Sequence, residues 1–131
     1  MAVALPATIA ILGVLAGVIH LSLGGTLFTL NAIGYFVLVT AYVIANVATH
    51  PLVIRFRWLP RLGLIGYATT SIGAWLVIGG FYWLGYLTKA IELTLIILVV
   101  VDIYRVHGGF RGFFRDAVAS VRWAVATIRS H

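Results

Sequence analysis

Cysteine is absent from the 131 residues, and the chain carries only three acids, three prolines and a single lysine. Without cysteine there is no disulfide, thiolate metal site, cysteine nucleophile or palmitoylation site, and the redox compartment stays open. Charge is scarce as well: 9% of residues are charged, against about 25% in ordinary soluble domains. So little charge cannot cover a surface that faces water, so most of the surface has to meet lipid or apolar protein. A nucleophile elbow, P-loop, dinucleotide fingerprint and HExxH are all missing, and no enzyme activity, metal or cofactor is expected.

What is present is apolar: 63% of residues are hydrophobic and the mean hydropathy is +1.12. A membrane helix takes roughly 20 mostly apolar residues to cross a core about 30 Å thick. Four stretches meet that length, at about 3–23, 27–47, 62–81 and 88–106. Pro6 fits the opening turn of the first. Gly24-Gly25 marks the first connection, Pro51 disfavours helix at His50, and Gly108-Gly109 closes the fourth stretch. Connections this short make neighbours antiparallel. They predict an all-α membrane protein, a four-transmembrane-helix up-down bundle over 1–109. Residues 1–5 lack a basic n-region and 20–26 lack an A-x-A-like cleavage site, so the first stretch reads as a retained helix.

The net charge of +6 would suggest nucleic acid in a soluble domain, but the motifs that read phosphates and base edges are missing. The arginines instead sit on one side of the spans. Arg55, Arg57 and Arg61 lie in the second connection, and Arg105, Arg111, Arg115, Arg122 and Arg129 at or beyond the end of the fourth stretch. Only Lys89 falls on the other side. The positive-inside rule then puts both termini in the cytoplasm of a multi-pass inner-membrane protein, facing anionic headgroups. Phe81, Tyr82, Trp83 and Tyr86 read as an outer interface belt, and Phe56 and Trp58 as an inner one.

After Gly109 the pattern changes. Phe110, Phe113, Phe114, Ala117, Val121, Ala124, Val125 and Ile128 recur every three or four residues, on one helical face. Arg111, Arg115, Arg122 and Arg129 form their own stripe beside it, with Trp123 away from the apolar face. Residues 110–131 are therefore expected to form a basic amphipathic helix along the cytoplasmic surface, its arginines on lipid phosphates. Docking on the bundle or on a partner subunit is the alternative.

Ionisable groups inside a membrane are expensive and mark candidate sites. Sequence depth allows His20, Glu92 and Lys89 to meet near the outer face as a proton or ion site. The plainer reading pairs Glu92 with Lys89 at i, i+3 and leaves His20 among headgroups. Asp102 is expected to neutralise Arg105 or an arginine of the second connection. His50 and His107 offer imidazoles for haem iron, but both flank turns where solvent is expected, which disfavours ligation. Asn31, Asn46, Thr69, Thr70 and Ser71 suit hydrogen bonds between helices. Gly13 and Gly17, with Gly63, Gly66 and Gly73, suit close helix approach, internal or between copies.

LNAIGYFVL (30–38), IGYATTSIGAWLVIGG (65–80) and LGYLTKAIELTLIILVVVD (84–102) resemble small bacterial and archaeal four-span proteins of uncharacterised type. The resemblance implies a fold and no activity. Small multidrug transporters differ in carrying their glutamate in the first helix. Small fluoride channels differ in their dual topology and early arginine. The expected function is a non-catalytic integral membrane subunit or scaffold, associating with lipid, a membrane-protein partner or further copies of itself. The alternative is a small, oligomeric proton-coupled transporter or channel using Glu92 and His20.

Overall fold

The computed structural model describes residues 4–78 and 83–130, and every regular element among them is a helix. In order these are α1 (Ala4–Ser22), α2 (Thr26–Val47), α3 (Pro51–Arg55), α4 (Trp58–Ile78), α5 (Trp83–His107) and α6 (Phe110–Arg129). Three of them, α1, α2 and α5, are long and apolar enough to cross a membrane. α4, the third of the four expected spans, is not among them. It has 21 residues, but Arg61 stands in its first turn and Tyr67, Thr69, Thr70 and Ser71 in its middle. Of the expected aromatic belt, Phe81 and Tyr82 lie outside the described residues, as do Gly79-Gly80. Trp83 and Tyr86 stand exposed at the start of α5.

α1 packs against α2 and α5, and α4 packs against the same two, so the long helices form a ring. Each turns inward a seam spaced alternately by three and four residues. The seams are Ile9, Gly13, Ala16, His20 in α1; Ala32, Tyr35, Val39, Tyr42 in α2; and Arg61, Leu64, Ala68, Ser71 in α4. In α5 the seam runs Gly85, Thr88, Glu92, Leu95, Val99, Asp102. That average spacing of 3.5 keeps one stripe inside along a long helix. The outward faces are apolar too, with Ile11, Leu30, Val37 and Ile97 all more than half exposed. A Cβ on Gly13 would strike Val39, and one on Gly17 would lie 2.6 Å from Phe36, so the first glycine pair packs α1 onto α2.

Two glycine pairs make the sharp turns. Gly24 and Gly25 (φ +75° and +87°) join α1 to α2, and Gly108 and Gly109 (φ +77° and +131°) reverse the chain into α6. Gly112 then crosses the end of α5 so closely that any Cβ would run into the His107 carbonyl. The first half of α6 therefore docks. Phe113 enters the core, edge-on to Trp58 at 6.5 Å, and Ser120 Oγ reaches the Arg55 carbonyl at 2.8 Å. Beyond Ser120 the apolar side is open, with Val121, Val125 and Ile128 exposed. The second connection holds an unanticipated short helix, α3, started by His50, whose Nδ1 accepts from Leu52 N at 3.1 Å.

Candidate functional site

Glu92 is completely buried on the α5 seam. Lys89, one turn earlier, donates to its Oε1 at 2.5 Å and to Ser71 Oγ on α4 at 2.9 Å. Tyr35 donates from α2 to Oε2. The carboxylate thus has a donor on each oxygen, from a different helix on each side. His20 does not reach it: its Nδ1 donates to its own helix, at Ala16 O (2.7 Å). Its ring lies 5.6 Å from the Tyr35 ring, so Tyr35 stands between His20 and Glu92. His20 is 3% exposed, inside the protein and not among headgroups. Beside this cluster a groove of about 490 Å³ runs between α2 and α4, lined by Asn31, Tyr67, Thr70 and Ser71 among others. Asn31 Oδ1, buried there, has no hydrogen-bond partner among the described residues.

Asp102 organises a second centre, toward the arginine-rich end. Arg61 Nε and Tyr42 OH donate to its Oδ2 at 2.8 and 2.7 Å. Arg105 Nε and Nη2 donate to its Oδ1 at 2.9 and 2.6 Å. The remaining Arg61 nitrogens are also used, Nη1 by the Arg57 carbonyl at 2.6 Å and Nη2 by Asn46 Oδ1 at 3.0 Å. Asp102 therefore meets both its expected helix partner and an arginine from the second connection. Arg61 is not a loop residue, however, but a buried member of α4, 1% exposed. Buried charge of this kind is tolerated only when paired and hydrogen-bonded throughout.

A third centre corrects the expectation that His107 is solvated. His107 is 5% exposed, held under α6 by the Gly112 crossing, and its Nδ1 donates to Asp116 Oδ2 at 2.6 Å. Its Nε2 is buried with no hydrogen-bond partner among the described residues. His50, by contrast, is exposed and spends Nδ1 on capping α3. Arg111, Arg115, Arg122 and Arg129 all stand exposed on α6. Arg122 and Arg129 flank a shallow groove that also takes in Val121 and Val125. Trp123 faces protein: the Arg55 guanidinium lies 4.3 Å from its ring centroid, and Phe56 packs beside it.

Sequence reasoning missed Tyr35, Tyr42 and Asp116. A signal was present for the two tyrosines, which are seven residues apart and so share the α2 seam that faces α5. Asp116 lies nine residues beyond His107, and only the return of α6 after the double glycine brings the two together. Comparison with protein-family models, with curated proteins and with solved structures gave no match to this chain.

Proposed function

We propose that the chain is a non-catalytic integral membrane subunit or scaffold, with α4 as a fourth span and both termini in the cytoplasm of the inner membrane. The observation that carries this reading is the use made of the two carboxylates on α5. Glu92 and Asp102 each have a donor on both oxygens, and those donors come from α2 and α4 or from α5 itself. Such groups act as cross-braces, holding α2, α4 and α5 in one register where apolar contacts alone distinguish poorly between registers. The exposed half of α6 suits contact with anionic headgroups or a membrane-protein partner. Gentle extraction in native nanodiscs, followed by mass spectrometry, tests the reading. A partner or a defined oligomer supports it, and a free monomer in every preparation overturns it.

One observation favours a second reading, a small proton-coupled carrier. Tyr35, Glu92, Lys89 and Ser71 form a hydrogen-bonded chain that ends at the groove beside Asn31, with the His20 ring 5.6 Å from the Tyr35 ring at its other end. Ionisable chains of this kind serve as proton relays in transporters. A liposome flux assay of the parent and of Glu92→Gln decides it. Loss of flux in the variant supports the carrier, and unchanged flux, or none in the parent, sinks it.

A further inference from the structure

A cavity of about 450 Å³ opens at the arginine-rich end between α3, the end of α5 and the second and third turns of α6. It is lined by Arg55, Arg57, His107, Asp116 and Ser120, with Pro51, Ile54 and Ala119 completing the wall. Two features make it more than a gap between helices. The first is His107, more than nine-tenths buried, whose Nδ1 donates to Asp116 Oδ2 at 2.6 Å and so fixes the wall between the end of α5 and α6. The second is the charge balance. Asp116 already has His107 on Oδ2 and Arg115 Nε 3.7 Å from Oδ1. Among the described residues, neither Arg55 nor Arg57 has a carboxylate partner. Arg55 stacks on Trp123, and Arg57 has one long bond, at 3.5 Å, to the Val106 carbonyl. Stacking on an aromatic face leaves the edge of a guanidinium free for oxygen acceptors.

We propose that this cavity binds a phosphate group, presented by an anionic lipid headgroup or as free phosphate. The two guanidiniums supply the planar donor pairs that suit phosphate oxygens. His107 has no exposed side-chain surface and backs the wall through its bond to Asp116, which leaves the direct contacts to the two arginines. A cation is disfavoured by the two unpaired arginines. The cavity is of a size that takes a small polar ligand, and basic pockets between helices at the cytoplasmic side suit headgroups. α3 and α6 form its walls, so an occupied site would join the second connection to the C-terminal helix.

The test uses the full chain in two kinds of nanodisc. In phosphatidylcholine discs, inorganic phosphate is titrated by calorimetry. In discs doped with phosphatidic acid, native mass spectrometry counts the lipid retained per chain. Saturable binding is expected in at least one arm, and the arm that responds identifies the source. Arg55→Gln and Arg57→Gln each remove one guanidinium. Each is expected to weaken binding about tenfold or more. Removing the same kind of charge from the exposed part of α6, with Arg122→Gln and Arg129→Gln together, is expected to leave binding nearly unchanged. Arg55 is exposed and Arg57 partly exposed, so neither variant is expected to unfold the chain. The proposal is overturned by absence of binding in both arms. It is overturned equally if the α6 variants cost as much as the cavity variants, or if Arg55→Gln and Arg57→Gln both bind like the parent.

Discussion

Asp102 holds two arginines that differ widely in their contact with solvent. Arg61 is 1% exposed and the Arg105 side chain 39%. Asp102→Ala leaves the Arg61 guanidinium buried beside no counter-charge and is expected to cost about 3–5 kcal/mol. Arg105→Gln removes a partner that solvent can largely replace, and is expected to cost about 0–1 kcal/mol. Unfolding of both variants in detergent, side by side, measures the difference; equal costs would show that Asp102 is not holding Arg61. Gly112 gives a second contrast. Gly112→Ala drives a methyl group into the backbone at His107, where nothing flexible can yield, with an expected cost of about 1–3 kcal/mol. Gly66→Ala meets nothing within 4 Å and is expected to change stability by less than about 0.5 kcal/mol. If Gly112→Ala melts like the parent, the close crossing of α6 over α5 is wrong.

At the scale of elements, α6 has two halves with different anchors. Phe113 and Ser120 tie the first half to the protein, while Val121, Val125 and Ile128 stand exposed. Hydrogen exchange in nanodiscs should therefore show slow amides over 113–120 in any lipid. Over 121–129, exchange should slow when anionic lipid replaces phosphatidylcholine. Exchange over 121–129 that ignores lipid charge would count against a surface-lying tail. The amphipathic pattern of α6 was legible in the sequence because its polar and apolar faces differ. In the long helices it was not, since both inward and outward faces are apolar. There the polar residues are the better guide: His20, Tyr35 and Tyr42, Arg61 and Ser71, Glu92 and Asp102 all fall on seams. The pairing of Lys89 with Glu92 is local and could be read from spacing. The reach of Tyr35 to Glu92, of Arg61 to Asp102 and of Asp116 to His107 depends on which helices become neighbours or fold back, and no spacing encodes that.

For the whole molecule, the lack of native cysteine makes orientation directly measurable. Single cysteines in place of Ser22, Ala48 and Ser130 can be probed with a membrane-impermeant maleimide on intact cells. Four spans with cytoplasmic termini predict labelling of Ser22→Cys from outside, and of Ala48→Cys and Ser130→Cys only after lysis. Labelling of Ser22→Cys and Ser130→Cys but not of Ala48→Cys on intact cells would instead place an odd number of spans between the two ends. The polar seam of α4 bears on how such a chain enters the bilayer. Arg61 finds its counter-charge, Asp102, and Ser71 its partner Lys89 on α5, and those residues leave the ribosome after α4 is complete. Until then α4 is a weakly apolar segment with an unneutralised arginine. On the four-span reading it is expected to wait at the insertion machinery and move into lipid together with α5. Chains truncated before Trp83 should then leave α4 accessible to protease, whereas chains extended through Asp102 should protect it.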